Sequence, residues 1–534
     1  MIATDNCTGR KASMERLLLK SPAALYLIAA LAFIKNPFSL LDFPLDDAWI
    51  HQVYARAFAF GHGFAYNPGQ QEAGSTSPLW TVVTAPAHWL DGLGYEAATL
   101  AVKAIGLLLG LVCVLLVQRI AAGVSRSRAA GAWAALLFAL DPRLLFSAYS
   151  GMETCLLVAL LLAAGLMLLS GRPLLFVLFL GLTPVTRPEA LLLMPLAALV
   201  LWVEGGRELR LGQKGAALLL WAVPTLLWVG FCLLTTGHLF PNTYYLKAKP
   251  FALNVDKLRV GVTALVQYGT LAPWLFGVGL LGFCGLCRQR GRAVWPVSGL
   301  FLYSSAVLLV GVLGSRTMKL EGYYWTRWTD PSALLLAACS ALGLVFLVRW
   351  GVLRLRNAAA SASSGRRAVK AAALLAGAAV FSLAASAYAD TFAGRRSRFA
   401  SDSRAISIVN VMMGKWVAQN TPADAVVGTI DAGAVRYFGN RQTVDLFGLN
   451  NQARAFKKMS FEEAVGRCDW LTIFPRLYDK RVAGDFEPCV SITIPQDEYT
   501  VCETDIMTLH VAFRRVRPYR GLAAAPEADG RQSP

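Results

Sequence analysis

The sequence predicts an α-helical multi-pass membrane protein with a small C-terminal α/β domain, and three observations support this. The chain has 534 residues, of which 56% are hydrophobic and 16% charged, too few charges for a soluble surface of this size. Apolar blocks of about 18–22 residues recur, and a helix needs that length to cross a hydrocarbon core of about 30 Å. The last part of the chain instead alternates short apolar runs with polar segments, as a soluble domain does.

The spans are predicted from hydropathy, and their orientation from the basic loops. Lys and Arg cluster in short loops on one side of the apolar blocks, so the positive-inside rule makes that side cytoplasmic. This placement explains the net charge of +18 without nucleic-acid binding. The N-terminus is then cytoplasmic and the C-terminal domain lies outside. The predicted spans, about 11 transmembrane helices, lie near 21–41, 98–118, 128–145, 151–170, 173–186, 188–204, 215–236, 270–287, 294–314, 330–349 and 370–388.

Three regions follow from this pattern. Residues 1–389 form a transmembrane domain, and its first outside loop is long, covering 42–97. Residues 390–520 form an α/β domain outside the cytoplasm, and residues 521–534 are polar enough to be disordered.

The α/β domain is predicted from its local patterns. Cys489 and Cys502 are our candidate for a disulfide there, because an exported compartment is oxidising. Predicted strands are AVVGTI (425–430), TVDLF (443–447) and WLTIF (470–474), with helical segments around 402–419, 431–438 and 461–466.

Two adjacent carboxylates, Asp46 and Asp47, follow the first span on the outside face, in FPLDDAWIHQVYAR (43–56). Neighbouring carboxylates repel, which tends to raise the pKa of one of them, and a general base working near neutral pH needs such a pKa. A second interpretation is a capping pair that opens an amphipathic helix at 48–60. The spacing supports both interpretations equally.

Further polar clusters lie at span ends on the same face, where polar groups at membrane depth are costly and indicate a function. The Gly-rich segment 60–80 carries Glu72. Glu153 stands at the start of a span, where the helix dipole alone would favour a carboxylate. Arg187 and Glu189 flank a proline at another span end, and a local ion pair would explain them equally well.

Cations on the outside face predict anion binding. FPNTYYLKAK (240–249) and EGYYWTRWTDP (321–331) place Lys247, Lys249 and Arg327 against the positive-inside trend. A forked guanidinium suits a phosphate group. A base and phosphate-binding cations on one face predict sugar transfer from a lipid phosphate. A carboxylate would take the proton of an acceptor hydroxyl as it attacks the anomeric carbon, and a single displacement would invert the configuration.

Taken together, these segments resemble the polyprenyl-phosphate-dependent GT-C glycosyltransferases. The nearest subgroup is the bacterial glycosyltransferase family 39-like proteins, which include arabinofuranosyltransferase-like enzymes. The resemblance covers most of 40–450 and implies a GT-C fold. Each motif alone is weak, and the specificity comes from their order and common face. The motifs are PLDDAWIHQVYARAFAFGHGFAYNPGQQEAGSTSPLW, SGMET, TRPEALLL, FPNTYYLKA, YYWTRWTDPSALLL and VGTIDAGAVRYFGNRQTVDLFGLNN.

The resemblance implies roles for particular residues. Asp46 and Asp47 match the catalytic acid, with Asp46 favoured as base and Asp47 as a helper that positions the acceptor or a metal; which one is the base stays open. A divalent cation, Mg²⁺ or Mn²⁺, is compatible with the family, and Asp47 is its candidate ligand. Trp328 stands where the family usually has Tyr, so a hydroxyl contact there is in doubt. The implied substrate- or phosphate-binding residues are Arg56, Glu72, Glu153, Arg187, Glu189, Asn242, Tyr244, Lys247 and Arg327.

The resemblance also implies the partners and the compartment. The donor would be a polyprenyl-phosphate sugar, hexosyl or pentosyl, and the acceptor a cell-envelope glycan or lipid. The chain would lie in the bacterial inner membrane with its C-terminal domain in the periplasm. A multi-pass transporter or flippase of lipid-linked or small polar substrates is the main alternative, and it would show inverted repeats and midplane polar residues. An assembly protein would tolerate Asp46→Asn and Asp47→Asn.

Overall fold

The computed structural model describes most of the chain. Lys249, Cys502 and the tail 521–534 lie outside the described residues, and so does the proposed Cys489–Cys502 pairing. The described residues are 2–203, 210–247, 251–267, 273–290, 295–315, 324, 327–358, 365–475, 485–501 and 505–517.

The chain divides into two compact units. Hydropathy placed the whole loop 42–97 with the membrane domain, but packing groups its first half with the C-terminal region. The first unit is Met1–Leu41, Thr76–Val229 and Lys249–Ala400, and the second is Asp42–Ser75, Gly230–Ala248 and Ser401–Pro534.

The described part of the first unit is helical. Its helices consist largely of Leu, Ala and Val, and a helix satisfies its own backbone hydrogen bonds where no water is present. The α-helices up to the end of the last apolar block are Ile2–Phe33, Pro37–Leu41, Pro78–Thr84, Tyr95–Ser125, Arg128–Ala139, Pro142–Tyr149, Thr154–Leu169, Pro173–Gly181, Met194–Val203, Leu211–Thr236, Val255–Gln267, Pro273–Arg290, Trp295–Ser315, Asp330–Ala358 and Gly365–Ile406, with 3₁₀ segments Ala85–Leu93 and Pro188–Leu193.

Membrane crossing can be judged from helix length and composition. Among the described residues, five helices are long and apolar enough to cross, or six if the pair Arg128–Ala139 and Pro142–Tyr149, bent by 63°, counts as one span. Other apolar helices are shorter, such as Thr154–Leu169. The eleven predicted spans all overlap helical segments, but the number of about 11 stays a prediction. The five are Tyr95–Ser125, Gly212–Thr236, Val297–Gly314, Asp330–Arg354 and Leu375–Asn420.

Small residues let two helices of the first unit approach closely. A Cβ at Gly279 would lie 2.6 Å from the carbonyl oxygen of Ser340, and one at Gly282 would lie 2.7 Å from Leu347. Close backbone approach at small residues is a common way to pack helices within membranes. This contact fixes the helix Asp330–Ala358, which begins three residues after Arg327.

The second unit contains a mixed five-stranded sheet in the order β4-β3-β5-β7-β6. Strands β3, β4 and β5 are parallel, whereas β7 pairs antiparallel with both β5 and β6. Strands β3, β4 and β5 lie within three residues of the predicted runs, whereas β6 and β7 were not predicted. The strands are β1 Ala65–Asn67, β2 Gln70–Gln71, β3 Val426–Thr429, β4 Gln442–Asp445, β5 Trp470–Ile473, β6 Phe486–Thr493 and β7 Leu509–Arg515.

Helices cover this sheet with two apolar clusters. One cluster includes Leu471, Phe486 and Val465, and the other includes Val427, Val435 and Met413. The α-helices of the second unit are Asp46–Ala59, Asn242–Lys247, Met412–Asn420, Ala434–Gly439, Gln452–Ala455 and Phe461–Gly466, with a π-helical turn at Ser407–Val411 and 3₁₀ turns at Gln496–Glu498 and Asp505–Thr508.

The first outside loop supplies a hairpin that extends this unit. Strands β1 and β2 pair across a turn in which Gly69 has a φ of +76°, a conformation that glycine adopts without steric cost. The side chain of Asn67 donates to the carbonyl of Thr443 at 2.8 Å and accepts from its N–H at 2.9 Å. Asn67 therefore pairs with the backbone N–H and C=O of Thr443 on the edge strand β4, which would otherwise be left without partners.

Candidate active site

The carboxylate of Asp46 is held at the first turn of the helix Asp46–Ala59. Its Oδ2 accepts the N–H of Gly433 at 2.7 Å, and its Oδ1 accepts the N–H of Ala434 at 2.9 Å and the Nδ2 of Asn410 at 3.1 Å. The N-cap residue is Leu45, without a side-chain cap bond. The capping interpretation is therefore wrong, since Asp46 binds the turn that follows strand β3.

A second carboxyl group, that of Asp431, belongs to the same network. The Nδ2 of Asn410 donates to Asp431 at 2.7 Å as well as to Asp46. Burial raises the pKa of Asp46 to about 6 against these hydrogen bonds, and the charge of Asp47 adds to the rise. Burial, followed by the charge of Asp46, raises the pKa of Asp431 well above its usual range. Asp431 thus keeps its proton more readily, and Asp46 carries the charge near neutral pH.

Asp47 lies beside a cation. Its Oδ2 is 3.5 Å from the Nζ of Lys247, and both side chains are partly exposed. Lys247 ends the short helix Asn242–Lys247, and at the other end of that helix Asn242 donates from Nδ2 to Glu72 at 2.5 Å. One helix of six residues therefore connects Asp47 with Glu72.

Glu72 joins three segments of the second unit. Its Oε1 accepts from Asn242 and from the N–H of Gln452 at 3.1 Å. Burial raises the pKa of Glu72 to about 7, although both hydrogen bonds lower it. A carboxyl group with this pKa changes its charge in the physiological range.

Two expected site residues of the second unit lie elsewhere. The guanidinium of Arg56 donates to the carbonyl of Tyr437 at 2.9 Å, ten residues along the helix from Asp46, which is roughly 15 Å at the rise of an α-helix. Tyr244 is exposed and packs its ring against Phe240 and Tyr245.

In the first unit, three of the motifs converge. The Nε of Arg187 is 3.2 Å from the Oε1 of Glu153, and both side chains are almost fully buried. The guanidinium of Arg187 also lies 4.7 Å from the ring of Trp328. Arg327 lies 4.7 Å from the same ring and 4.8 Å from the ring of Tyr324. Glu189 starts the adjoining 3₁₀ segment Pro188–Leu193.

Trp328 thus packs between two guanidinium groups. An aromatic face attracts cations, so the indole holds both arginines without neutralising them. This role needs the ring and not a hydroxyl.

The sequence analysis missed several residues of these sites. Asn410 and Asp431 both contribute to the Asp46 network. A signal for Asp431 was present, because it lies two residues after the end of the parallel strand β3, where ligand sites of such sheets form. Asp141 and Arg143 form a buried two-point ion pair in the first unit, with Nη2 to Oδ2 at 2.7 Å and Nε to Oδ1 at 3.1 Å. Their proximity in sequence was the available signal.

The donor set near Asp46 does not fit a divalent cation. Both oxygens of Asp46 accept N–H bonds, and donors of this kind repel a metal ion. Lys247 puts an ammonium group next to Asp47, the candidate ligand. Among the described residues, no group of three His, Cys, Asp or Glu side chains could hold a metal ion.

The long apolar helices are those of a multi-pass membrane protein. Comparison with solved structures identifies its fold. The structure is similar to ArnT from Cupriavidus metallidurans bound to undecaprenyl phosphate, with a TM-score of 0.60 and 16% identity over 95% of this chain and 100% of that one. ArnT in the apo state gives a TM-score of 0.59 and 15% identity over 94% and 98%. The GT-C fold expected from the sequence is thereby confirmed.

A second relative of the fold comes from an archaeon, and sequence comparisons add one family. AglB from Archaeoglobus fulgidus, an oligosaccharyltransferase in complex with an inhibitory peptide and a dolichol-phosphate, has a TM-score of 0.52 and 13% identity over 87% of this chain and 69% of that one. Residues 401–514 match a family described as a domain of unknown function, DUF8728. No curated protein sequence shows significant similarity to the chain.

Proposed function

We propose that the protein is a membrane glycosyltransferase that moves a sugar from a polyprenyl-phosphate donor to a glycan or lipid acceptor on the outer face of the inner membrane. The observation that carries the proposal is the carboxylate of Asp46, oriented by three N–H donors and with a pKa near 6, in a chain with the GT-C fold. The complexes of ArnT with undecaprenyl phosphate and of AglB with dolichol-phosphate support a lipid-phosphate donor.

Asp46 is the general base of this proposal. Its pKa lies just below the working pH, where a base is both deprotonated and strong enough to accept a proton. Each carboxylate oxygen accepts more than one hydrogen bond, so the acceptor hydroxyl can bind an oxygen that already accepts an N–H. The acceptor oxygen attacks the anomeric carbon, the bond from that carbon to the phosphate oxygen breaks, and the proton moves to Asp46. The configuration inverts.

Within the first unit, Arg187 and Arg327 are the candidate ligands for the phosphate of a lipid donor. Arg187 and Arg327 share the ring of Trp328, and only one carboxylate, that of Glu153, forms an ion pair with Arg187 at 3.2 Å in the part of the chain that is described. Guanidinium groups bind phosphate through paired N–H donors. Lys247 lies 3.5 Å from the carboxylate of Asp47, and Asp47 in turn positions the acceptor.

No metal takes part in the proposed reaction. The N–H donors around Asp46 and the ammonium group beside Asp47 place positive charge where a divalent cation would bind, and this charge repels the cation. Transfer is therefore expected to proceed at an undiminished rate in excess EDTA, and loss of activity that Mg²⁺ or Mn²⁺ restores would contradict this part of the proposal.

A transfer assay with the purified full chain tests the proposal. The protein would be reconstituted in nanodiscs with a panel of polyprenyl-phosphate sugars, hexosyl and pentosyl, and with cell-envelope glycans and lipids as acceptors. One donor should give a product with inverted configuration, and Asp46→Asn should lower the rate by about 10²–10⁴-fold, as loss of a general base does. Asp424→Asn, an exposed Asp of the same unit, is the matched control.

Two outcomes would contradict the function. Full activity of an Asp46→Asn, Asp47→Asn double variant would exclude the proposed base. Movement of the lipid-linked sugar between leaflets, without any product, would identify a flippase instead.

A further inference from the structure

The second unit has a small polar cavity at the far end of the helix that carries Asp46. Its volume is about 170 Å³, smaller than the roughly 300–1,000 Å³ of sites for drug-sized ligands. It can admit one small group and not a whole glycan chain. The lining residues are Val53, Arg56, Ala57, Phe60, His62, Ala65, Tyr66, Asn67, Pro68, Arg436 and Asn440.

Two guanidinium groups line this cavity. The Nη2 of Arg56 donates to the carbonyl of Tyr437 at 2.9 Å, and its guanidinium lies 4.2 Å from the ring of the same residue. The Nε of Arg436 donates to the carbonyl of Tyr66 at 2.9 Å. Both arginines are therefore fixed in place by neutral partners, which leave the positive charges uncompensated.

Arg436 is the more informative of the two. Its side chain is buried, with 5% of the residue exposed, and its Nη1 is buried without a hydrogen-bond partner in the part of the chain that the structure describes. A buried donor without an acceptor costs free energy, and more so when the group is charged. Arg436 holds the hairpin at Tyr66 through its Nε alone. This structural role therefore does not explain why the other nitrogen atoms of the guanidinium are buried here.

The cavity also lacks a compensating carboxylate. None of its eleven lining residues is Asp or Glu. Burial, together with the charge of Arg56, lowers the pKa of Arg436 to about 10. Two cations that repel each other in a cavity without an acid form a site that an anion would stabilise.

We propose that Arg56 and Arg436 bind one anionic group of the acceptor, a phosphate or a carboxylate. This inference rests on the proposed function and assigns a charge to the acceptor. The ten residues from Asp46 to Arg56 span roughly 15 Å along the helix, so this anion is distinct from the phosphate that leaves during transfer. The acceptor would carry its charge about that far from the hydroxyl that Asp46 deprotonates.

Anion binding to the purified full chain tests this site directly. Thermal unfolding would be followed in sodium phosphate and in sodium acetate, each compared with sodium chloride of equal ionic strength, for the wild type, Arg436→Gln, Arg56→Gln and the control Arg514→Gln. Arg514 is an exposed arginine of the same unit. We expect either Gln variant to weaken anion binding about tenfold or more, while Arg514→Gln retains it. The anion that binds more tightly, phosphate or acetate, then identifies the chemical class of the acceptor's anionic group.

The outcomes separate this inference from the proposed function. Asp46→Asn should abolish transfer and leave anion binding at the cavity unchanged. If no donor supports transfer but Arg436→Gln still loses anion binding, the cavity is an anion site and the function is wrong. If Arg436→Gln fails to fold, anion binding is compared between the wild type and the variants Arg56→Gln and Arg436→Lys instead. Equal binding by the wild type and the folded Gln variants, or no response beyond that to chloride, would overturn the inference.

Discussion

Asp46 is held in one orientation by hydrogen-bond donors that also stabilise its negative charge. Three N–H donors fix its carboxylate, while Asn410 links it to a second, more basic carboxyl at Asp431. A base oriented in this way loses little entropy when the acceptor binds. The adjacent pair in the sequence was the correct signal for a perturbed carboxylate, but burial raises the pKa more than Asp47 does.

The pH dependence of transfer follows from this pKa. Asp46 acts as a base only when deprotonated, and its pKa is about 6. We expect the rate to be constant above pH 7 and to fall about tenfold for each pH unit below 6. Rates measured between pH 4.5 and 8.5, with binding of the donor measured separately, check this. A rate that rises as the pH falls below 6 would require a different base.

Glu72 gives a prediction about stability. Its pKa is raised to about 7 in the folded protein, from 4.5. The folded state thus favours the protonated form, so this group contributes most to stability at low pH, and the contribution is lost as the pH rises through 7. We expect Glu72→Gln, which still accepts from Asn242 and Gln452, to unfold at a higher temperature than the wild type at pH 8 and to show less pH dependence.

The matched variant at this position is Glu72→Ala. It leaves the donors of Asn242 and Gln452 without their acceptor, which costs about 1–3 kcal/mol for a buried group. Thermal unfolding at pH 5.5 and pH 8 compares the two variants with the wild type. Lower stability of Glu72→Gln at pH 8 would show that the charge of Glu72 has a partner that stabilises it.

Among the elements, the turn between strand β3 and the helix Ala434–Gly439 orients Asp46, the proposed base. Its Gly433 has no room for a side chain, because a Cβ there would lie 2.8 Å from the Oδ2 of Asp46 and closer still to its carbonyl oxygen. The glycine therefore permits the N–H contacts that orient Asp46.

Gly433→Ala is expected to displace Asp46 while the fold is retained. A shift of about 1 Å in a catalytic group can cost 10²-fold in rate, so we expect a loss of 10-fold to 10²-fold in kcat, with a lower thermal midpoint because the new Cβ also meets the backbone carbonyl of Asp46. Gly230→Ala is the control, because nothing lies within 4 Å of a Cβ there. Wild-type activity of Gly433→Ala would show that the contact with this turn is not needed.

The elements that could be predicted are those with a local signal. Apolar runs predicted the helices, and strands β3 to β5 are alternating or buried apolar runs between turn residues. Strand β6 has exposed residues along most of its length and includes Pro488, so its pattern is weak. The ion pair between Arg187 and Glu153 could not be predicted from the sequence. Glu153 lies at the start of a different helix, and no local spacing relates the two residues.

At the scale of the whole molecule, grouping by packing differs from grouping by hydropathy. The segment Asp42–Ser75 and the segment Gly230–Ala248 form one compact unit with the C-terminal region. Hydropathy identifies which residues lie outside the bilayer but not which of them pack together. Contacts such as Asn67 with Thr443 and Tyr54 with Asn450, 2.9 Å between Oη and Oδ1, join parts of the chain that are far apart in sequence.

Orientation in the membrane gives the last prediction. The basic loops predict a cytoplasmic N-terminus, and an odd number of spans, such as the predicted eleven, would then put the C-terminal domain outside. The base on the first loop and the turn that orients it lie in one unit, so both must be on the same side of the membrane. We expect a C-terminal alkaline phosphatase fusion to be active and a C-terminal fluorescent protein that folds only in the cytoplasm to be dark. A reporter placed in the basic loop near Arg207 should give the opposite pair of results. A bright fluorescent C-terminus would require an even number of spans and would move the proposed chemistry to the cytoplasmic face.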